Sequence, residues 1–368
     1  MTARVPRIGF VVEQALGHAT HADNLARFVA DDPRILAEFA PIPYDPDPRF
    51  ERIPGYGNWT VRAGLRARRA VRRLGKSGRL DALFIHTQVP ATLMPGVLKR
   101  IPSVVSLDAT PLQYDRLGAT YDHAPGSDRV EAVKRRFHDT MFARARHLVT
   151  WSHWVKHSLV DDYGVAPERI TVIPPGVDYA RWAAPPREVA ELGATTRVLF
   201  VGGNLERKGG LILLDAIRRL RADGVPIEVD LVTRDDVPAE PGVAVYHGVT
   251  ANSPELISLF HRADVFCLPT YADMLAIVLS EAGAAGLPLV ASDVGGLGEL
   301  VEPEVTGLVV PPGDTDALAG ALRRLAEQPQ LRTSLGARAQ QEVRERFDAE
   351  ANAHRLVGLL ADVAEGRT

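Results

Sequence analysis

Two carboxylates interrupt an otherwise apolar stretch, PTYADMLAIVLSEAGAAGLPLVASDVGG, at residues 269–296. Asp273 and Glu281 stand eight positions apart, in a segment whose apolar pattern predicts a helix. Eight residues of α-helix span about 12 Å, which is comparable to the distance from a sugar ring, across a diphosphate, to a ribose. Because a carboxylate accepts two hydrogen bonds at once, it suits vicinal hydroxyls. The pair therefore predicts a site for a sugar-bearing diphosphate.

The predicted helix begins just after Asp273. Its first backbone N–H groups have no intrahelical acceptor and attract anions, so they would hold phosphates between the two carboxylates. These are the amides of Leu275, Ala276, Ile277 and Val278. The alternative is that Asp273 is only a helix N-cap and Glu281 a solvated residue. Capping leaves Glu281 unexplained, since an unpaired charge in an apolar helix is costly.

A glycine-rich turn, FVGGNLERKGG, lies upstream at residues 200–210. Gly202 and Gly203 would let the backbone approach a phosphate closely. Arg207 and Lys208 can neutralise a diphosphate leaving group as its charge develops. Two cations at the start of a helix are often merely solvated, but together with the carboxylates they indicate a phosphate-binding site.

The length of the chain and the order of its elements predict two domains. A chain of 368 residues exceeds one ordinary core, and short apolar runs alternate with amphipathic ones, as in parallel sheets covered by helices. We predict an N-terminal Rossmann-like domain over residues 1–175. A proline-rich linker over 176–186 and a second Rossmann-like domain over 187–346 would follow. The last helix, 347–368, is expected to pack back on the N-terminal domain.

Apolar runs mark the predicted strands of the two domains. They fall at residues 7–12, 81–86, 102–107, 147–151, 197–203, 227–232, 263–269, 287–292 and 306–311. Cys267, the single cysteine, stands in one of these runs without a partner for a disulfide or a metal-binding pair. It is therefore predicted to be a small buried hydrophobe.

Composition and charge limit the class of protein. The apolar fraction of 46%, the charged fraction of 24% and the mean hydropathy of −0.05 are ordinary for a globular protein. Neither a secretory signal nor an apolar run long enough for a membrane span is recognised, so a cytoplasmic protein is expected. Residues 1–180 hold 25 Lys and Arg against 19 Asp and Glu, and residues 181–368 hold 18 against 27. This asymmetry hints at an anionic partner for the first half.

The segment at residues 58–79, NWTVRAGLRARRAVRRLGKSGR, carries eight basic residues and no acidic one. Val61, Leu65, Val71 and Leu74 recur at helical spacing, which predicts an amphipathic helix with a cationic outer face. Such a face can contact the anionic inner surface of a membrane, or it can simply be solvated. No aromatic residues interleave the arginines, which argues against a nucleic-acid partner.

The second half resembles the family 4 glycosyltransferases, which are retaining enzymes of the GT-B fold. The resemblance is carried by the D-x7-E pair with EAGAAGLPLVAS and by VGGNLERKGG (201–210), HGVTANSPELISLFHRADVFCLPT (247–270), VGGLGELV (294–301) and TGLVVPPGD (306–314). It is looser in the first half. The fold class that it implies is α/β, with two Rossmann-like domains facing across a cleft and with C-terminal helices.

The resemblance also implies roles for the motif residues. Arg207 and Lys208 would bind the donor diphosphate, Glu281 the ribose, Asp273 the hydroxyls of the transferred sugar, and Gly17 a phosphate from the opposite domain. The sequence departs from the family pattern at a few places. Asp273 stands where the family usually has Glu, Leu275 and Ala276 replace a Phe-Gly pair, and Gly203 replaces an Arg.

Further candidates lie in the first half. Asp108 follows a strand where many family members carry a histidine on the acceptor side. A carboxylate there could steady positive charge at the anomeric carbon or orient the acceptor hydroxyl, although a turn-forming role before Ala-Thr-Pro is the alternative. His18 is a candidate for contact with phosphate or acceptor. His86, Tyr121 and His123 are acceptor-side candidates.

The resemblance and the residues together predict a retaining hexosyltransferase of glycan biosynthesis. It would move a sugar from a nucleoside diphosphate sugar, most simply a UDP-hexose, to a hydroxyl of a glycan, a lipid-linked glycan or a small molecule. No metal and no cofactor are expected, because Arg207, Lys208 and helix amides can neutralise the diphosphate. A nucleotide-sugar epimerase of the same fold and a non-catalytic sugar-nucleotide-binding protein remain the alternatives.

Overall fold

The computed structural model of the protein describes residues 4–14, 17–45, 56–121 and 126–368. The chain forms two compact units, one composed of Met1–Pro175 with Ala349–Thr368 (unit 1) and the other of Gly176–Asp348 (unit 2). Among the described residues each unit contains one six-stranded sheet, and all neighbouring strands in both sheets are parallel. The predicted α/β class is confirmed.

Unit 1 is a parallel sheet covered by helices on both faces. Its strands pair in the order β2-β1-β3-β4-β5-β6, and they are β1 (Arg7–Gln14), β2 (Leu36–Pro43), β3 (Ala82–His86), β4 (Ser103–Leu107), β5 (His147–Thr150) and β6 (Ile170–Val172). Its helices are α1 (His18–Val29), α2 (Trp59–Leu74), α3 (Gln88–Thr92), α4 (Pro95–Leu98), α5 (Pro111–Arg116), α6 (Asp128–Arg144), α7 (His153–Asp161) and, from the end of the chain, α14 (Ala349–Ala364). Gly118–Tyr121 and Pro167–Arg169 form short 3-10 turns.

Unit 2 repeats this architecture. Its strands pair in the order β12-β11-β10-β7-β8-β9, and they are β7 (Thr196–Val201), β8 (Ile227–Val232), β9 (Val243–Tyr246), β10 (Val265–Leu268), β11 (Leu289–Ser292) and β12 (Gly307–Val310). Its helices are α8 (Tyr179–Trp182), α9 (Gly210–Ala222), α10 (Pro254–Arg262), α11 (Ile277–Ala284), α12 (Thr315–Glu327) and α13 (Pro329–Arg346), with a 3-10 turn at Leu297–Glu299.

The central strands are buried on both faces, which is why they read as continuous apolar runs in the sequence. In unit 1, side chains that alternate along a strand enter two separate cores. Phe10 packs with α1 and α14 on one face, and its ring lies 5.5 Å from that of Phe84. Val11 packs with α2, α6 and α7 on the other face. Cys267 in β10 is fully buried, as predicted.

Three strands, β2, β6 and β9, have no counterpart in the sequence prediction. All three lie at the edges of their sheets, and their residues are mostly half-buried or exposed. An edge strand needs no continuous apolar run and tolerates proline, and β2 contains Pro41 and ends at Pro43. The apolar-run criterion therefore finds buried strands, including β12 at the other edge of the unit 2 sheet, and misses the half-buried edge strands.

The basic helix forms, but its inner face differs from the prediction. α2 is capped by Asn58, whose side chain accepts a hydrogen bond from the Val61 amide at 3.3 Å. Arg62 is buried, stacks on the ring of Trp59 and donates to the Tyr56 and Gly57 carbonyls. The arginines of α2 that remain exposed are Arg68, Arg69, Arg72 and Arg73. Membrane contact through this face stays a prediction; no helix in the described parts of the chain has the length and apolar character to cross a bilayer.

Each sheet has one point at which the strand order reverses. In unit 1 the chain goes from β1 to β2 on one side and then returns to place β3 on the other side. In unit 2 the corresponding reversal lies between β7 and β10. In open α/β sheets the loops at the carboxyl ends of such strands diverge and leave room for a ligand. Both groups of predicted site residues follow these strands.

The packing of α14 on unit 1 gives a stability prediction. Leu360 is fully buried in α14 against the sheet of unit 1. Leu360→Ala should lower the free energy of unfolding of this unit by about 2–5 kcal/mol through lost burial and a residual cavity. Leu36→Ala in β2 of the same unit, at a residue that is 55% exposed, should change it by less than about 0.5 kcal/mol. Urea denaturation measures both; equal, small effects would contradict the packing of α14.

Candidate active site

The two predicted carboxylates of unit 2 do not lie on one helix. α11 begins at Ile277, four residues after Asp273, and only Glu281 is helical. The residue at the N-cap is Ala276, with no side-chain cap, so the N-cap interpretation of Asp273 is also wrong. The helical spacing of about 12 Å expected from eight α-helical residues therefore does not apply to this pair. Asp273 belongs to the loop that joins β10 to α11.

Asp273 is held in this loop by two contacts. One carboxylate oxygen accepts a hydrogen bond from the Met274 amide at 3.1 Å, and the other forms an ion pair with Lys208 Nζ. Asp273 is buried, and the Lys208 side chain is 17% exposed. Two residues that are 65 positions apart in the sequence are thus in direct contact.

Arg207 also binds this loop. Its carbonyl accepts hydrogen bonds from the Tyr271 amide at 2.9 Å and from the Thr270 hydroxyl at 3.1 Å. Its guanidinium donates to the Ala272 carbonyl at 2.9 Å. The turn after β7 and the loop after β10 are therefore joined by backbone and side-chain bonds, and Lys208 is placed at Asp273 as a result.

Two glycines outside the predicted site allow this arrangement. Gly209 has φ +76°, and a Cβ there would lie 1.9 Å from the Pro269 carbonyl oxygen. Gly295 has φ +57°, and a Cβ there would lie 2.1 Å from the Asp273 carbonyl oxygen. Both values of φ favour glycine, and neither distance is possible for a larger residue. Both glycines stand in segments that carry the family resemblance, so the sequence could have indicated that they matter. Their spacing does not show which carbonyls they approach.

Glu281 lies in α11 in a different environment. The residue is 6% exposed, and burial raises the pKa of its carboxyl group to about 7. Among the residues that the structure describes, it has no hydrogen-bond or ion-pair partner. A buried carboxylate without a partner is costly unless a ligand satisfies it, so Glu281 is well suited to accept hydrogen bonds from a diol.

The amides predicted to hold phosphate are open. Those of Leu275, Ala276, Ile277 and Val278 have no acceptor within the described parts of the chain. They precede or begin α11, so they have no intrahelical partner. In the turn after β7, Gly202 donates its amide to the Val232 carbonyl at 2.9 Å, and its Cα faces the Lys208 side chain. The next residue, Gly203, lies against Arg234.

The unit 1 candidates converge at the reversal point between β1 and β3. His18 Nδ1 and His86 Nε2 are 3.0 Å apart, and His18 Nε2 lies 3.5 Å from the Asp108 carboxylate. The His86 ring stacks on Trp151, with centroids 5.0 Å apart and an interplanar angle of 11°. His21 packs edge-on against both rings.

The protonation of this cluster follows from burial. Burial lowers the pKa of His86 well below its usual value and that of His21 to about 3, so both rings are neutral. His86 Nδ1 has no partner among the described residues, which favours placing its one proton on Nε2. That proton is then donated to His18 Nδ1, and His18 points an Nε2–H toward Asp108.

Glu13 is a member of this cluster that the sequence analysis missed. Its carboxylate accepts hydrogen bonds from the Thr87 hydroxyl at 2.6 Å and from Trp59 Nε1 at 3.1 Å. Burial is the main cause that raises the pKa of Glu13, and the charge of Asp108 adds to it. The sequence feature that could have identified Glu13 is the position of a carboxylate at the end of the apolar run GFVVEQ.

The remaining candidates of unit 1 are Gly17, Tyr121 and His123. Gly17 precedes α1 as its N-cap residue, and no side chain caps the helix there. Tyr121 lies in the 3-10 turn and packs its ring 5.4 Å from that of Tyr114. His123 lies outside the described residues. Across the described ranges, no group of three or more His, Cys, Asp or Glu residues is arranged to hold a metal ion.

Solved structures share this architecture over nearly the whole chain. Sucrose-phosphate synthase from Thermosynechococcus elongatus superposes with a TM-score of 0.74 at 18% identity and covers 98% of this chain and 100% of its own. Anabaena Alr3699/HepE, solved with UDP-glucose, gives a TM-score of 0.69 at 17% identity, with 97% and 99% covered. These likenesses show the fold. The GT-B fold class that the sequence predicted is therefore confirmed.

Sequence comparisons identify the family. The model for Glycosyltransferase Family 4 matches residues 16–181, and that for Glycosyl transferases group 1 matches residues 195–328. The chain is 29% identical over 309 residues to glycogen synthase of Mycobacterium tuberculosis, covering 79% of this chain and 70% of that protein. It is 32% identical over 260 residues to D-inositol 3-phosphate glycosyltransferase of Rhodococcus erythropolis, covering 64% and 58%. The chain belongs to the family 4 glycosyltransferases, as the resemblance indicated.

The buried Glu281 predicts a pH dependence of stability. Its pKa is about 7 in the folded protein against an ordinary 4.5. The folded protein therefore retains a proton that the unfolded chain releases between these values. The free energy of unfolding should fall as the pH rises through this window, by on the order of 3 kcal/mol.

Glu281→Gln is the matched control, because an amide mimics the neutral acid. We expect the difference in unfolding free energy between the wild type and Glu281→Gln to fall between about pH 5 and pH 8, since that window contains the raised pKa of Glu281. Urea denaturation without nucleotide measures it. A difference that is constant over this range would show that Glu281 titrates normally.

Proposed function

We propose that this chain transfers a hexose from a nucleoside diphosphate sugar to an acceptor hydroxyl, with retention at the anomeric carbon and without a metal ion. The observation that carries the proposal is the meeting of four kinds of group at one edge of the unit 2 sheet. They are an ion-paired lysine, the carboxylate that it pairs with, a row of backbone amides and a buried carboxylate, the last two without a partner in the described parts of the chain. These groups match the sugar, the diphosphate and the ribose of one donor.

The diphosphate would be held by Lys208 and the amides of residues 275–278. An ammonium has three N–H donors, so Lys208 can keep one on Asp273 and give the others to phosphate oxygens. The amides add donors whose dipoles favour an anion. This charge neutralisation is the task that a divalent cation performs in other phosphoryl sites, which supports a metal-independent mechanism.

The two carboxylates would bind the two sugars of the donor. Glu281 is assigned to the ribose, because ribose hydroxyls can supply the hydrogen bonds that the carboxylate lacks. Asp273 is assigned to hydroxyls of the transferred hexose, because its position beside Lys208 places it next to the phosphate. One of its oxygens also has the Met274 amide, which fixes the orientation of the short side chain.

The unit 1 cluster is assigned to the acceptor side. Asp108 is half-buried, and its carboxylate lies 3.5 Å from His18 Nε2, which leaves lone pairs for an acceptor hydroxyl. His86 acts through His18 and is a positioning residue. Its stack on Trp151 holds the imidazole in place.

Retention is assigned to attack on the same face from which the diphosphate leaves. The bond between the anomeric carbon and the phosphate oxygen breaks, and a bond from that carbon to the acceptor oxygen forms. The acceptor proton passes to the departing phosphate oxygen, so no base of the protein is consumed. Lys208 and the amides would stabilise the charge that develops on the leaving diphosphate.

The donor is identified by binding before turnover. A thermal-shift screen of UDP, GDP, ADP and dTDP sugars ranks the bases, because a ligand that binds the folded state raises stability with the logarithm of its excess over Kd. UDP-glucose is the first donor to test, since the HepE neighbour was solved with it. Release of nucleoside diphosphate only in the presence of an acceptor supports transfer. An isomerised donor would indicate an epimerase, and binding without turnover a non-catalytic protein.

Lys208→Ala should remove most turnover, by about 100-fold or more in kcat, because it deletes the main side-chain cation at the leaving group. Lys99→Ala, at an exposed lysine of unit 1, is the matched control and should retain full activity. The assay is release of nucleoside diphosphate from the best donor of the screen. Near-normal kcat in Lys208→Ala would remove this residue from the leaving-group role.

Asp273→Asn should affect sugar selection more than nucleotide affinity. The amide keeps the size of the side chain but loses the charge that pairs with Lys208 and one of the strong acceptor sites. We expect discrimination between hexose epimers of the donor to fall about tenfold, while Kd for the free nucleoside diphosphate stays within about threefold. An equal loss of sugar discrimination and of nucleotide affinity would mean that Asp273 only maintains the conformation of the loop.

A further inference from the structure

Arg234 follows β8 and extends its guanidinium over Gly203. The Nε donates to the Gly203 carbonyl at 3.3 Å. A Cβ built on Gly203 would lie 2.8 Å from Arg234 Nη2 and 3.0 Å from Nε. The guanidinium therefore occupies the space into which any side chain at position 203 would project.

The neighbouring glycine lies against the first carbon of the Lys208 side chain. A Cβ on Gly202 would lie 2.8 Å from the Phe200 ring and 3.0 Å from the Lys208 Cβ. Two successive residues without side chains thus leave room for two cationic side chains, one from the turn itself and one from the next strand. Lys208 and Arg234 lie along one short stretch of backbone at the carboxyl end of β7.

The loop that carries Arg234 is anchored independently of it. The Asp235 carboxylate accepts a hydrogen bond from the Leu205 amide at 2.5 Å, and the Asp235 amide donates to the Thr233 hydroxyl at 3.2 Å. Arg234 itself is exposed. Removing its side chain therefore leaves the anchors of the loop in place.

Arg234 retains most of its capacity to bind an anion. A guanidinium has five N–H donors in a planar fork that fits two phosphate oxygens. Within the described ranges the contact of this guanidinium is with one carbonyl, and no carboxylate pairs with it. Arg207 differs, because its guanidinium donates to the Ala272 carbonyl and joins the turn to the loop.

We propose that Arg234 is the second side-chain cation for the donor diphosphate, beside Lys208, and that Arg207 is a positioning residue for the loop that carries Asp273. The Arg234 guanidinium has room at this position because Gly203 carries no side chain. This inference rests on the proposed function, since it names a further residue of the same donor site.

The test is a double-mutant cycle on positions 203 and 234, read out by binding rather than activity. Calorimetry measures Kd for the nucleoside diphosphate and for the nucleoside of the same base. Arg234→Ala should weaken binding of the nucleoside diphosphate about tenfold and binding of the nucleoside by less than about twofold. Arg338→Ala, at an exposed arginine of α13, is the matched control and should change neither.

Gly203→Ala should weaken binding of the nucleoside diphosphate by the same factor, because the new Cβ displaces the Arg234 guanidinium. The double variant should be no weaker than Arg234→Ala, since both changes remove one interaction. The proposal is overturned if the two single variants lose diphosphate affinity additively in the double variant. It is also overturned if Arg234→Ala binds the diphosphate as tightly as the wild type does, or loses as much affinity for the nucleoside as for the diphosphate. Far-UV circular dichroism confirms that each variant is folded.

Lys208→Ala separates this inference from the proposed function. If the wild type binds a nucleoside diphosphate and Lys208→Ala weakens it while Arg234→Ala does not, only the role of Arg234 fails. If no nucleoside diphosphate binds the wild type, the donor site itself fails.

Discussion

The loop from Pro269 to Ala276 is fixed by backbone contacts on two sides, and the donor half of the site depends on them. On one side the carbonyl of Pro269 meets Gly209, and on the other the carbonyl of Asp273 meets Gly295. Neither contact leaves room for a Cβ. Because the backbone is held this closely, Asp273 reaches Lys208 without the support of a helix, and the amides of residues 275–278 have no acceptor among the residues that the structure describes.

This constraint gives the two carboxylates different environments. Asp273 is paired with a cation and an amide, whereas Glu281 is buried in α11 and has no partner among the described residues. Carboxyl groups in different surroundings serve different purposes in a site. The same division is seen in unit 1, where Asp108 faces His18 and Glu13 is enclosed by Thr87 and Trp59.

The sequence predicted the class of fold and the central strands, because these features are expressed locally as apolar runs. It also indicated Lys208, Asp273 and Glu281 as residues of interest. It did not predict that Asp273 lies outside the helix, since the apolar run 274–279 looks the same whether or not its first three residues are helical. The edge strands β2, β6 and β9 were missed because half-buried segments lack an apolar run.

The contacts of the site were not predictable from spacing. Lys208 and Asp273 pair across 65 residues, and Arg234 reaches Gly203 from another strand. The first contact depends on the reversal of strand order between β7 and β10, and the second on the pairing of β7 with β8. No local pattern records either. The buried Glu13 escaped notice for a related reason, because one carboxylate at the end of an apolar strand has no distinguishing neighbour in the sequence.

The return of α14 to unit 1 has a consequence for the order in which the protein can fold. Leu356, Val357 and Leu360 cover the same sheet face as Ile8 and Phe10, although they are separated from them by the whole of unit 2. Unit 2 is a single continuous segment and has all of its strands once residue 348 is made. A nascent chain paused at that point would hold a finished second unit and a first unit in which the part of one sheet face that α14 covers is still open to water.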